Sequence, residues 1–307
     1  MKKVTVFSAS GRPGRAQVRQ LLSSGYDVRA VSRDPSKLDK FDSLEIVSAD
    51  YNDPDSVVEA CSGSDIVFYT TPSFEESHRG LDFAATVGNA ARKAGVSKLI
   101  FNTCCWGTDE EVGEVGYDGS RLIINTLAQT GIPLVTFQPV LFMDNLLTSW
   151  ARTDILENDL YTYPHNPNLE ASWICLDDVA KFMIAAIGRD DLNGKRIVLG
   201  GPEIFTPQRV ADLLSGHFGK PIKYEMLDLN LFSERLFNIF YADQEGADLE
   251  AFSFYMTNFY KFNNESEHKP FKVDMESVLK LIPVKLTTFS EWIKKQDWNE
   301  KINTTAG

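Results

Sequence analysis

Cysteine and histidine are both scarce in this chain, at four each in 307 residues. Cys104 and Cys105 are adjacent, so the four do not make the framework of a disulfide-stapled secreted domain. His78, His165, His217 and His268 share no motif with a cysteine, which argues against a Cys–His nucleophile. No His, Cys, Asp or Glu set has ligand spacing, so no metal is expected. Basic residues are outnumbered, 31 Lys and Arg against 43 Asp and Glu, for a net charge of −12. That balance excludes a general nucleic-acid surface. No apolar run approaches about 18 residues, so no membrane span is expected. The first residues read as a strand, not as a basic stretch ahead of an apolar one, so no leader is expected. Internal repeats, low-complexity tracts and flexible linkers are absent. The expectation is a cytoplasmic globular protein with a small-molecule ligand and no membrane or direct nucleic-acid partner; homodimerisation stays open.

What is there alternates. Val4–Phe7 is an apolar strand, a helix follows from about Ala16 to Ser24, and Tyr26–Ser32 is a second strand. Leu44–Ser48, Ile66–Thr71, Lys98–Asn102 and Pro133–Gln138 are further strands. Helices are expected at Asp53–Cys61, Gly80–Gly95 and Gly119–Thr130. Strands regularly separated by helices predict an α/β fold, a Rossmann-type doubly wound parallel sheet covered by helices on both faces. The second half is less regular. Asp177-Asp178 reads as the cap of a helix to Ile187, Arg196–Leu199 as a strand, Thr206–Phe218 as a helix and Ile222–Met226 as a strand. Residues 231–262 are dense in aromatics, which reads first as core or subunit interface. The division expected is 1–150 for a nucleotide-binding domain and 151–307 for a smaller α/β lobe, with some of its strands returning to the main sheet.

The segment Ser8-Ala9-Ser10-Gly11-Arg12-Pro13-Gly14 joins the first strand to the first helix. Small residues there let a backbone approach a dinucleotide's pyrophosphate, and the helix N-terminus offers unpaired N–H groups. The spacing is that of a Gly-x-x-Gly-x-x-Gly turn with serine at the first position. Ligands of such sheets lie beyond the carboxyl ends of the strands, here Ser8, Arg33, Asp50, Thr71-Pro72, Thr103-Cys104 and Gln138-Pro139.

The end of the second strand bears on which dinucleotide is bound. An acid about 20 residues past the glycines holds a ribose 2′-hydroxyl. This chain has Ser32-Arg33-Asp34-Pro35-Ser36-Lys37. Arg33 stands where the acid would be, with Lys37 one turn on, and guanidinium pairs with a 2′-phosphate through two charge-assisted bonds. Asp34, followed by proline, reads as a helix cap. NADP(H) is therefore favoured over NAD(H), with Arg12, Arg33 and Lys37 as a local basic pocket in an acidic chain.

The motif order resembles the atypical short-chain dehydrogenase/reductases, and within them the NmrA-like NAD(P)-binding proteins. The resemblance rests on Ser8–Gly14, Arg33, Asp50-Tyr51-Asn52-Asp53-Pro54, Gly131-Ile132-Pro133, Gln138–Asn145, Asp177-Asp178-Val179-Ala180 and Gly200-Gly201-Pro202-Glu203. It implies the fold and a dinucleotide, and a family that holds both reductases and cofactor-sensing regulators. Enzymes of the class often use a Tyr-x-x-x-Lys pair, or a lysine alone, on the helix before the sixth strand. Here Tyr117-Asp118-Gly119-Ser120-Arg121 keeps the spacing with arginine in place of lysine, so Tyr117 and Arg121 are the catalytic candidates, Arg121 also as a cofactor contact. Arginine can steady a tyrosinate or hold ribose but keeps its proton. The bland alternative is a loop tyrosine and a surface arginine. Thr103 and Cys104 occupy the place where the class commonly sets a serine. Trp106, Phe142, Met143, Asn145 and Trp173 are expected to line an apolar substrate pocket with a few polar groups, suited to a quinone, enone or imine. The expected activity is reduction of a small aromatic or enone-like molecule by NADPH, with a cofactor-sensing regulator as the alternative.

Overall fold

The computed structural model describes residues 1–41, 43–70, 79–241, 244 and 246–299. The chain runs β1 (Lys3–Val6), α1 (Arg12–Ser23), β2 (Asp27–Ser32), β3 (Leu44–Ser48), α2 (Pro54–Cys61), β4 (Ile66–Thr70), α3 (Gly80–Lys93), β5 (Lys98–Asn102), α4 (Val115–Gln129) and β6 (Leu134–Pro139). It continues with β7 (Leu141–Phe142), α5 (Ser149–Glu157), β8 (Leu160–Tyr163), β9 (Ala171–Ile174), α6 (Leu176–Ala185), β10 (Arg196–Leu199), β11 (Ile204–Phe205), α7 (Pro207–Phe218) and β12 (Lys223–Met226). Helices α8 (Leu229–Phe240), α9 (Leu249–Glu265), α10 (Met275–Leu281) and α11 (Phe289–Lys295) complete it.

Seven strands form one sheet in the order β10-β6-β5-β4-β1-β2-β3, every pairing parallel. This is the Rossmann-like α/β arrangement, and the strand order reverses between β1 and β4, where such sheets open a crevice for ligands. Period-two alternation assigns side chains to the two faces. Ile66 and Phe68 of β4 join the core under α1 and α6, while Val67 and Tyr69 join the core under α2, α3 and α4. A third core, rich in aromatics, fills the second half around Trp150, Tyr163, Trp173, Phe232 and Phe289. The second half also adds to the first: β10 pairs with β6 at the sheet edge, and α6 lies in the same core as α1. The aromatic segment folds as α8 and α9, with Phe232 and Tyr260 buried and Phe254 exposed.

Two helix starts differ from the sequence expectation. Helix α1 begins at Arg12, four residues before Ala16, because Gly11 takes the cap position and Pro13 is tolerated in the first turn. Helix α6 begins at Leu176 with Cys175 as its cap residue, so Asp177-Asp178 does not cap it. The Asp178 carboxylate is instead fully buried and accepts from Thr287 N at 2.6 Å, Thr287 Oγ1 at 3.0 Å and Lys181 Nζ at 2.6 Å. Glu114 is buried and caps α4 by accepting from Tyr117 N at 2.8 Å.

His165 is sealed into the third core. Its ring lies 4.2 Å from that of Tyr163 and within 6 Å of Tyr260 and Phe271, and its Nε2 has no hydrogen-bond partner among the described residues. Burial pulls its pKa from 6.5 down to about 3. The folded pKa is depressed, so the folded state keeps the imidazole neutral while the unfolded chain protonates it below 6.5. The stability held above that pH is then lost as pH falls toward 3, at about 1.4 kcal/mol per unit from this group. Thermal melts from pH 7 to 4.5 are expected to fall less steeply for His165→Gln than for the wild type. Parallel slopes would show that His165 does not drive the acid sensitivity.

Candidate dinucleotide site and its two ends

The turn after β1 is shaped for close approach. Ser8 holds φ at +55°, in the left-handed region that the first glycine of such turns ordinarily occupies. Its hydroxyl is tied down by Tyr51 Oη at 2.9 Å and donates to the Thr70 carbonyl at 3.3 Å, which steadies a conformation a serine rarely adopts. Gly11 N–H donates to the Ser8 carbonyl at 3.1 Å and closes the turn. A Cβ on Gly14 would sit 2.2 Å from the Ser8 carbonyl oxygen and 2.6 Å from Ala9 Cα. Only glycine lets α1 pack this near β1. Helix α1 carries no side-chain cap, so its first-turn N–H groups face the crevice beside the β1–β4 reversal. A diphosphate fits these features.

On the β2 side, Arg33 and Lys37 are exposed beyond the strand end. Asp34 behaves as a cap: its carboxylate accepts from Ser36 N at 3.0 Å and Ser36 Oγ at 2.6 Å. The serine contacts hold its pKa below the usual carboxylate range. Ser10 meets Ser32 through their hydroxyls at 3.3 Å, and Arg15, which sequence reasoning did not single out, donates to the Ser10 and Lys37 carbonyls. Asp50 at the end of β3 accepts from Asn52 N and Nδ2, both at 2.8 Å.

At the start of α1, burial lowers the pKa of Arg12, and the Asp144 carboxylate is the foremost group opposing this. Asp144 stands in the 3₁₀ turn Met143–Leu147 after β7, and its Oδ2 accepts from Leu176 N at 3.0 Å. Burial raises the Asp144 carboxyl while Arg12 pulls it down. Asn145 donates to Tyr163 Oη at 3.4 Å. Neither Asp144 nor Tyr163 was expected in the site from sequence, although Asp144 lies in a quoted motif.

Of the remaining strand-end residues, Thr103 is buried and its hydroxyl donates to the Cys105 carbonyl at 2.6 Å. Cys104 takes φ of +58° with its N–H on Asn102 Oδ1 at 3.0 Å. Burial pushes Cys105 up to about 11 and raises Cys104 as well, so both stay thiols. Gln138 is buried with Nε2 unpartnered among the described residues, against Gly107, where a Cβ would come within 2.5 Å of that nitrogen. Pro139 is buried beside it. Thr71 and Pro72 lie outside the described residues.

The catalytic pair is where structure and sequence expectation part. Tyr117 is buried, and its hydroxyl donates to Asn263 Oδ1 of α9 at 2.6 Å. Its ring packs against Trp106, Phe259 and Phe262, and burial raises its pKa well above 10. The aromatic helix α9, far away in sequence, claims the hydroxyl that a proton donor would need free. Arg121 turns to Glu111 at 3.7 Å. Among the pocket candidates, Met143 and Trp173 are core residues, each about 2% exposed or less, and Trp106 is also buried; Phe142 and Asn145 are half-buried. Among the described residues no group of three or more His, Cys, Asp or Glu side chains could hold a metal, and no helix is long and apolar enough to cross a membrane.

Fold and turn together define a Rossmann-like α/β protein with a crevice at the β1–β4 reversal. The profile of the NmrA-like family matches residues 1–293, and the chain belongs to that family. It is 26% identical over 303 residues to the photosystem II assembly factor Ycf39 of Trieres chinensis, covering 94% of this chain and 93% of that protein. It is 24% identical to the NAD(P)H azoreductase of Xenophilus azovorans over 74% of this chain and 77% of that enzyme. The triphenylmethane reductase of Citrobacter sp., solved with NADP(H), superposes with a TM-score of 0.76 at 18% identity, over 95% of this chain and 99% of that one.

Gly14→Ala tests the turn directly. The new methyl must displace backbone at Ser8 and Ala9, since no flexible side chain can give way. A destabilisation of about 1–3 kcal/mol is expected from overpacking, with dinucleotide affinity lost in calorimetry. A variant with wild-type melting and affinity would show that the approach of α1 to β1 does not shape the site.

Proposed function

We propose that the protein is an NADPH-dependent reductase of a small conjugated organic molecule such as a quinone or enone. The observation that carries this is the Ser8–Gly14 turn, with its left-handed serine and obligatory glycine, opening an uncapped helix at the sheet's reversal point. The diphosphate would take the free N–H groups of α1. Arg33 and Lys37, exposed past β2, would take the 2′-phosphate, and Ser10 the adjoining ribose. The other end of the dinucleotide then extends across the turn toward β4, β5 and β6, because the sheet order puts those strands on the opposite side of β1. There Thr103, Cys104 and Gln138 would frame the nicotinamide, and Phe142 and Asn145 the acceptor. When bound, the reduced dinucleotide supplies a hydride. The chain supplies the cradle, the orientation and the dry wall formed by Trp106 and Pro139.

Residues 1–150 are read as the nucleotide-binding part and 151–307 as the lobe that closes over the acceptor. The kinship to an NAD(P)H azoreductase supports the reductase reading. A second reading, cofactor-dependent partner binding without catalysis, is favoured by one observation: the Tyr117 hydroxyl is held by Asn263 rather than open to the crevice. A relative named as an assembly factor is consistent with it.

Oxidation of NADPH over a panel of quinones, enones and azo dyes separates the two. Turnover above background supports the reductase; tight NADPH binding with no oxidation of any acceptor favours partner binding. Tyr117→Phe is expected to leave turnover within about threefold, because its hydroxyl serves α9. A loss of about a hundredfold at unchanged cofactor affinity would restore it as the acid.

Cofactor choice has its own test. Removing one charged partner of a desolvated pair costs about 2–5 kcal/mol, and the exposed Arg33 belongs at or below the low end. With about 1.4 kcal/mol per tenfold, Arg33→Ala is expected to weaken NADPH roughly tenfold and NADH little. An unaltered ratio of the two dissociation constants would remove Arg33 from the site.

A further inference from the structure

Between α4 and the β6–β10 edge of the sheet lies a seam in which buried donors lack acceptors. Alternation along β6 turns Thr136 and Gln138 toward α4, because Val135 and Phe137 join the opposite core. Arg196 of β10 is the register partner of Thr136, and its Nη2 donates to Asn125 Oδ1 of α4 at 2.5 Å. Helix α4 joins the parallel strands β5 and β6 and so runs against them. Arg121, one turn before Asn125, therefore stands about 6 Å nearer the strand ends. Gln138, two residues past Thr136, is carried about 7 Å the same way. Arg121, Arg196 and Gln138 thus line one seam. Their Nε, Nη1 and Nε2 atoms are buried, each is a donor, and none has a hydrogen-bond partner among the described residues. Gln138 itself is 1% exposed. Buried donors left unpaired are costly, and a row of them calls for a shared acceptor.

A strap lies over this seam. Residues 106–113 make no backbone–backbone hydrogen bond among the described residues. Carboxylates tie them down instead. Asp118 of α4 accepts from Val112 N and Gly113 N, both at 2.9 Å. Asp109 pairs with Arg196 at 2.8 Å, off the line of the Nη1 hydrogens, and Glu111 pairs with Arg121 at 3.7 Å. Gly107 passes so near Gln138 that a Cβ would come within 2.5 Å of its Nε2. The two halves of the ion pairs differ. The Arg121 and Arg196 side chains are 19% and 22% exposed, whereas Glu111 and Asp109 are 75% and 82% exposed. The cations are built in, and the acids reach in from solvent. Ion pairs with an exposed partner are weakly held and screened by salt.

We infer that the seam is an anion site, filled in this conformation by the strap's own Asp109 and Glu111, which takes a small oxyanion, a carboxylate or phosphate group, when the strap lifts. Guanidinium matches such a group through two parallel N–H bonds, and the Gln138 amide adds a further donor. The exchange is a competition: the strap's acids leave for solvent as the anion enters. Because Gly107 rests on Gln138, lifting the strap also uncovers the wall at the end of β6. The seam lies three strands from β1 and its dinucleotide turn, and the inference does not depend on the reductase reading.

The test titrates the full chain with inorganic phosphate in a calorimeter, at constant ionic strength and with saturating NADP⁺ present to keep phosphate off the dinucleotide turn. The double variant Asp109→Asn/Glu111→Gln removes the competing acids at exposed positions, so its fold is not at risk. It is expected to bind phosphate about tenfold more tightly than the wild type, the worth of two exposed ion pairs. Arg121→Gln and Arg196→Gln are each expected to weaken phosphate about tenfold or more in that background. Hydrogen exchange at the amides of Val112 and Gly113 is the second readout. Phosphate is expected to speed it in the wild type in a saturable way, and sodium chloride at the same ionic strength is not. An equal effect of chloride would mean screening alone and overturn the inference. So would phosphate affinity that the acid-free strap leaves unchanged, or that both arginine variants retain.

Discussion

The contact between Gly14 and the Ser8–Ala9 backbone is the constraint on which the site depends. It sets how near α1 comes to β1, and so where the free N–H groups of the helix stand. Ser8 has to reach a left-handed conformation for the turn to close, and as a serine it does so at a cost that glycine would not incur. Tyr51 and Thr70 offset that cost by holding its hydroxyl from β3 and β4 sides of the crevice. The turn is therefore not a local motif alone. It needs the neighbouring strand ends in place before it is stable.

Helix α6 carries that geometry into the second half of the chain. Its N-terminus gathers carboxylates, in keeping with the helix dipole: Asp144 accepts from Leu176 N, Asp177 meets Arg19 of α1 at 3.2 Å, and Asp178 holds Thr287. Beyond its C-terminus the buried Lys98 donates to the carbonyls of Ala186 and Arg189 and pairs with Asp190 at 3.0 Å. The same helix thus touches α1, the turn that carries Asp144 and the segment leading to α11. Breaking Asp178 from Thr287 would leave a carboxylate buried without its partners, which is the expensive kind of loss.

The crevice is chemically asymmetric. One end offers solvent-exposed cations beyond β2, suited to a phosphate. The other is walled by the buried Thr103, Gln138 and Pro139. Exposed charges at the β2 end are screened by solvent and salt. The thiols Cys104 and Cys105 sit between the ends and hold their protons, so they shape the wall without acting as nucleophiles.

The fold, its parallel strands and the tight turn after β1 were legible in the sequence, because each depends on short-range patterns: apolar runs of strand length, helix periodicity and small residues at fixed spacing. The capping role of Asp34 could be read for the same reason, since its partner Ser36 lies two residues away. Tyr117 could not. Its spacing to Arg121 matched a catalytic pair, but a residue 146 positions away takes its hydroxyl. Met143 and Trp173 likewise carry the side chains of a pocket but are placed in the core, Met143 by the 3₁₀ turn after β7 and Trp173 by β9. Local hydrogen bonding and periodicity determine which elements form; which face a polar side chain turns to is decided by the partners that folding brings from elsewhere, and those exist only in the tertiary structure.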